Sequence, residues 1–346
     1  MIPQFEPLMQ ESYINQVTQT MRSGWIGSGK EVTKFEDQIA EYTKSNFAIA
    51  TSSGTTALLT ILEALKLRKK VIAIPNYSFI AATNVVRFLN NTFKIIDINF
   101  DTLCMSPQKL QENLPVDAVI FINHNGYVGP RVNEIKKICD TNNILFIEDA
   151  ACALGQVFEG KHAGTQGIMS CFSFSVPKLI TTGQGGMIIT NDSSLAKRSR
   201  EIIDQGSTTW RQDQLHYSIG LNFKLGNIPA SYGIAQLNII EELLQRRSEI
   251  HERFKQNLPY LHTYETDNHT GTWMNILKTE DAEKLVNHLK KFNIESKMYY
   301  KPIDLSIGLP EMVNTFHIYK TRVYLPSSLT LTTSDIDYIC EIINEY

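Results

Sequence analysis

FAIATSSGTTALLTILEALKL, residues 47–67, joins two patterns of different period within one short stretch. Phe47–Ala50 is a short apolar run, and its continuity fits a strand covered on both faces. From Thr55 to Leu67 the leucines at 58, 59, 62 and 65 recur at helical spacing, which predicts an amphipathic helix. The same alternation continues downstream. Val71–Pro75, Lys94–Ile98, Ala118–Asn123 and Ile144–Glu148 read as further short strands, several nearly all apolar, with helix-like segments between them. Strand and helix alternating at this length predict an α/β, doubly wound, mostly parallel sheet, with function at the strand C-termini.

The chain has 346 residues, more than one typical domain needs. We expect a large α/β domain over 1–245 and a smaller C-terminal α+β domain over 246–346. Residues from about 225 to 255 read as one long helix, either a bridge between the two or a long surface helix. TSDIDYICEIINEY (333–346) reads as a capped amphipathic helix. Hydrophobic content of 42% and charged content of 20% suit a packed enzyme rather than a disordered chain.

Other classes are disfavoured. The net charge is −3, and the densest basic patch is the short KLRKK at 66–70, so no nucleic-acid footprint is present. The first residues lack a secretory pattern, and no window approaches eighteen uninterrupted apolar residues; a cytoplasmic protein with no membrane span is expected. Five scattered cysteines suit a reducing compartment, and without CxxC or HExxH no metal site is expected.

Four features lie where such a sheet places a ligand. Ser52 to Thr56 open a helix, and can be read as an N-cap or as a phosphate site at the helix dipole. Asp149 ends a strand, as a helix cap or as the partner of a cationic ligand nitrogen. Tyr77 and Phe79 follow another strand, as core or as a stacking surface for a planar ligand. Lys178 sits in FSVPKLITTGQGG (174–186), as a solvated charge or as an amine held inward for imine chemistry. Taken together, a phosphate cradle, a ring stacker, an acid for a ring nitrogen and a nucleophilic lysine are what pyridoxal 5′-phosphate requires.

The chain resembles the DegT/DnrJ/EryC1/StrS family of PLP-dependent sugar aminotransferases, over nearly its whole length. The resemblance is carried by SGWIGSGKEVTKFE (23–36), ATSSGTTALLTILEAL (50–65), IPNYSFIAATNVV (74–86) and IDINFDTLCMSPQKL (96–110). It continues through FIEDAACALG (146–155), SFSVPKLITTGQGGMIITND (173–192), GLNFKLGNIPASYGIAQL (220–237) and YLPSSLTLTTSDIDYI (324–339). It implies a fold type I aminotransferase that moves an amino group, with glutamate as donor, to a 3- or 4-keto group of a nucleotide-linked deoxysugar. Such enzymes serve surface-polysaccharide or secondary-metabolite pathways.

By the same resemblance Lys178 is the Schiff-base lysine and proton carrier. Asp149 holds the pyridinium proton, and Phe79 stacks on the ring. Gly54, Thr55 and Ser173 cradle the phosphate. Asn222 reaches the phosphate of a neighbouring subunit, which implies a homodimer with shared active sites. Cys152 stands where histidine or glutamine is usual beside the cofactor's phenolic oxygen. Ser175 replaces a frequent histidine, Gln184 a frequent glutamate, and Lys297 and Asp304 an arginine and a histidine of the sugar-binding loop. The family's dehydratases carry histidine in place of the lysine, so Lys178 argues against that branch. Another reaction of the same cofactor, a smaller ketone as acceptor and a non-catalytic regulator are the competing readings. The loops at 25–30, 180–182, 210–217 and 297–305 are expected to set the acceptor.

Overall fold

In the computed structural model the five expected strands form as β1 (Phe47–Thr51), β2 (Val71–Pro75), β3 (Thr92–Ile96), β4 (Ala118–Ile122) and β5 (Leu145–Asp149). The structure describes all residues except 210, 211, 213, 214, 265–272 and 299, so parts of two expected acceptor loops lie outside the described residues. β3 begins two residues earlier than its apolar run suggests. The Thr92 amide donates to Lys70 O, and Ile98 pairs with Met105 outside the sheet. A short hairpin follows, β6 (Val157–Phe158) and β7 (Lys161–His162), and then β8 (Met169–Ser173) and β9 (Gly186–Thr190).

β8 and β9 were not expected as strands, yet they complete a seven-stranded sheet of order β1-β9-β8-β5-β4-β2-β3. Neighbours from β8 to β3 are parallel, while β9 runs antiparallel to both β1 and β8. The sheet is therefore mostly parallel, and the loop carrying Lys178 joins its antiparallel pair. Both faces are covered, as the apolar runs require. Ala48 and Ala50 enter one core while Ile49 enters another; in β4, Ala118 and Ile120 face away from Val119 and Phe121.

A second sheet of three antiparallel strands, β10 (Ile276–Lys278), β12 (Arg322–Tyr324) and β11 (Lys297–Met298), has β12 at its centre. The expected long helix is two helices, Asn227–Leu237 and Ile240–Asn257, broken where Ile239 leaves helical geometry (φ −122°, ψ 25°). The second of them straddles two cores. Leu243 and Leu244 pack with the large sheet, and Ile250 and Phe254 with the small one. The N-terminus joins the small sheet's side, because Ile2 pairs with Ile294 and the Gln4 amide donates to Glu295. The last helix, Thr333–Asn344, opens on the expected capping box, formed by Thr332 and Asp335. Among the described residues no helix is long and apolar enough to cross a membrane.

Candidate active site

At the C-terminal ends of β4, β5 and β8 a cavity of about 370 Å³ opens. It is large enough for a cofactor-sized ligand. Seven of the eight residues singled out from the sequence line it: Gly54, Thr55, Phe79, Asp149, Cys152, Ser173 and Lys178. The eighth, Asn222, is exposed and outside the lining, its backbone bridged to Asp204.

The helix Gly54–Ala64 starts at this cavity, and both readings of its first residues hold together. Ser53 caps it, accepting from the Thr56 amide at 3.1 Å while Thr56 Oγ1 accepts from the Ser53 amide at 3.0 Å. That box serves Thr56 and leaves the Gly54 and Thr55 ends of the helix facing the cavity, where the dipole favours an anion. Gly54 is required by proximity. A Cβ there would stand 2.9 Å from Ser173 Cβ, so only glycine lets the end of β8 close against the helix start.

Glu148 and Asp149 end β5 as neighbours and part company by strand alternation. Glu148 is buried behind the sheet, where it accepts the amides of Gln166 (2.7 Å), Gly167 (3.0 Å) and Gly164 (3.3 Å). Asp149 lines the cavity and accepts the Ala151 amide at 3.1 Å. Burial pushes its carboxyl above the usual range, only partly offset by the Ala151 amide and the Lys178 charge. A carboxylate in that position gains from a cationic partner.

Lys178 leaves the loop between β8 and β9 half-buried. Its ammonium donates to Cys152 Sγ at 2.9 Å and lies 4.0 Å from the centre of the Trp273 ring. Burial pushes the Cys152 thiol up, and the Lys178 charge opposes this. Phe79 is 61% exposed at the cavity mouth, its ring edge-on to Tyr300 at 5.8 Å. Ser175 and Gln184 also line the cavity. Asp304 does not face it: the carboxylate is buried and accepts the Leu305 and Met312 amides, both at 2.7 Å. Lys297 is exposed on β11.

Sequence reasoning missed His124, Asn125, Trp273 and Tyr300, all in the lining. His124 is buried and stacked on Tyr77 at 4.9 Å. Its position just after β4 was the available signal; Tyr300 lies in the 297–305 loop expected to set the acceptor, while Trp273 comes from distant sequence and carried none.

The family model for the DegT/DnrJ/EryC1/StrS aminotransferase family matches residues 7–344. The chain belongs to this family. The expected fold, enzyme class and cofactor are thereby borne out. The aminotransferase is 31% identical to GDP-perosamine synthase of Escherichia coli O157:H7, over all of this chain and 98% of that one. It is 29% identical to the putative pyridoxal phosphate-dependent aminotransferase EpsN of Bacillus subtilis, over 97% of this chain and 93% of that one. In fold it matches Helicobacter pylori PseC, an aminotransferase involved in the biosynthesis of pseudoaminic acid. There the TM-score is 0.93 at 22% identity, over 99% and 98% of the two chains.

Proposed function

We propose that this aminotransferase takes an amino group from glutamate and delivers it to a 3- or 4-keto group of a nucleotide-linked deoxysugar. The observation that carries the reading is one cavity onto which the Lys178 amine, the Asp149 carboxylate and the start of the Gly54–Ala64 helix all open. GDP-perosamine synthase as a full-length relative supports the nucleotide-linked acceptor, and EpsN supports the cofactor.

The residues fit pyridoxal 5′-phosphate. The glycine-only approach of Gly54 to Ser173 makes a cradle at a helix N-terminus, and Asp149 is a part-buried carboxylate that a further cation would stabilise. When bound, the cofactor supplies an aldehyde carbon that accepts the amino group and a ring that takes up an electron pair. Gly54, Thr55 and Ser173 would hold its phosphate, and Phe79 would cover the ring. Asp149 holds a proton on the ring nitrogen. Lys178 anchors the group and moves a proton to and from the substrate carbon that bears nitrogen. Cys152 contacts the Lys178 amine where the family has a stronger hydrogen-bonding side chain.

The enzyme works as a homodimer in the cytoplasm, with large (1–245) and small (246–346) domains. Exposed apolar residues just before Asn222 support the dimer: Ile219 is 90% exposed and Leu221 48%. A second copy covering them would bring Asn222 to its neighbour's phosphate.

The test is direct. Purified enzyme with added pyridoxal phosphate should develop a visible absorbance band, and borohydride should fix the cofactor on the Lys178 peptide. Glutamate should bleach the band, and a nucleotide-linked ketosugar should restore it. A Lys178→Ala variant with full turnover would sink the reading. A panel in which only nucleotide-free ketones restore the band would overturn the acceptor.

A further inference from the structure

Trp273 belongs to none of the motifs that mark this family in the sequence, yet it grips Lys178 from two directions. Its ring face lies 4.0 Å from the ammonium, and its indole N–H donates to the carbonyl of Pro177, at 2.5 Å. One side chain thus touches the charged tip of the lysine and the peptide immediately before it. Trp273 is only 5% exposed, and its face meets the half-buried ammonium directly.

The tryptophan is itself held by Asn125, in the turn after β4. The Trp273 amide donates to Asn125 O at 3.0 Å. The Met274 amide donates to Asn125 Oδ1, and Asn125 Nδ2 donates to Met274 O, both at 2.9 Å. Asn125 offers both its backbone and its side chain because it sits in the left-handed region, φ 52° and ψ 24°, which asparagine tolerates better than most residues. Tyr324 of β12 closes the far side, edge to face at 6.1 Å. A buried tryptophan needs some acceptor for its N–H, and packing alone would supply one. Packing alone gives no reason for that acceptor to be the residue before the lysine while the face meets the lysine's charge.

We propose that Trp273 is a positioning residue for Lys178, holding the amine in place and favouring its ammonium form whenever it is free of the cofactor. This role rests on the assignment of Lys178 as the reactive amine. An indole face attracts a cation and not a neutral amine, so the ring stabilises the lysine as the proton carrier it must become after giving up the cofactor. The segment from which Trp273 comes leads into β10 of the small sheet, whereas Lys178 and Asn125 belong to the large one. Lys178 is therefore held between segments of both sheets.

The experiment compares the full chain with Trp273→Leu and Trp273→Phe, before and after loading with pyridoxal phosphate. Before loading, Lys178 is acetylated with a brief pulse of acetic anhydride and followed by peptide mass spectrometry. Only the neutral amine reacts. At about pH 7, Trp273→Leu should react about tenfold faster than the parent, and Trp273→Phe should fall between them. As the pH is raised towards about 11 the differences among the three should shrink steadily. A ratio that persists undiminished at high pH would mean that the ring merely shields the lysine, and no change at either pH would mean no contact of consequence; either result overturns the proposal. Should the leucine variant fail to fold, the phenylalanine variant decides alone, with a rise of about threefold expected at the lower pH and a smaller one at the higher. After loading, kcat should fall in Trp273→Leu with KM for glutamate little changed. A parent enzyme that acetylates as described but never binds pyridoxal phosphate at Lys178 would refute the functional assignment and leave the contact itself established.

Discussion

Lys178 Nζ lies 2.9 Å from Cys152 Sγ, so the amine at the centre of the site has a thiol for its hydrogen-bond partner. Sulfur is a weak acceptor, and the contact is worth about 1 kcal/mol. Cys152→Ala should therefore lower kcat about fivefold with KM little altered, and Cys152→Gln should recover the loss. Burial raises the thiol, so Cys152 should resist iodoacetamide near neutrality. The Lys178 charge pulls the other way. In Lys178→Ala the thiol should be alkylated more slowly still, despite the wider cavity, as peptide mass spectrometry would show.

Asp149 sets stability against function. Its folded carboxyl titrates above the ordinary value, so the native state binds a proton more tightly than the unfolded chain. Stability from this group is then present at low pH and lost as pH rises through the shifted range. Near neutrality, without the cofactor, this carboxyl is a cost to folding in its desolvated place. Asp149→Asn should raise the melting temperature of the cofactor-free protein by a few degrees and lower turnover at least about a hundredfold. Pyridoxal phosphate should stabilise the parent more than the variant in the same thermal assay, because only the parent can pair with a ring cation.

Strands β1 to β5 and the residues that follow them in sequence were legible because each carries its own local signal. Asp149 ends a strand, Gly54 opens a helix and Lys178 precedes a glycine-rich turn. β8 was not legible, since MSCFS mixes serines into a strand whose apolar residues face both ways. The break at Ile239 was hidden because both flanking helices share a continuous apolar stripe. Asp149 was singled out over its neighbour Glu148, and strand alternation is what turns Asp149 and not Glu148 to the cavity. Trp273 could not be found at all: its place depends on Asn125, far away in the chain, through hydrogen bonds that no sequence spacing encodes. Asp304 misled for the converse reason, since a polar residue in an acceptor loop turned out to satisfy that loop's own amides.

Acid should loosen the fold through two buried histidines, His124 in the site and His262 outside its lining. Burial, reinforced by the charges of His262 and Lys178, pulls His124 down to about 3, and burial pulls His262 to about 3 as well. In the unfolded chain both titrate near ~6.5. The unfolded state then binds more protons between those values, so stability is fully present above about 6.5 and falls as pH drops. By about pH 5 each histidine costs roughly 2 kcal/mol. Melting curves at the two pH values should show a marked acid loss in the parent and a visibly smaller one in His124→Asn. An equal loss in both would exclude His124 as a source.

Gly54, the glycine of the cavity lining, should resist replacement, and the reason can be separated into two parts. Its backbone is not in the left-handed region, so alanine is not barred by conformation. The obstacle is contact: the new Cβ would meet Ser173 Cβ at 2.9 Å and Ser173 Oγ at 3.2 Å. Either the helix start or the end of β8 must move, at about 1–3 kcal/mol. Gly54→Ala should therefore lower the melting temperature and weaken pyridoxal phosphate binding about tenfold or more, measured by fluorescence titration. Adding Ser173→Gly removes the atoms that clash. The double variant should regain much of the lost stability, because the clash is relieved. It should not regain affinity, because the hydroxyl assigned to the phosphate is gone with it. Recovery of both would mean that Ser173 holds the helix in place and leaves the phosphate to Gly54 and Thr55.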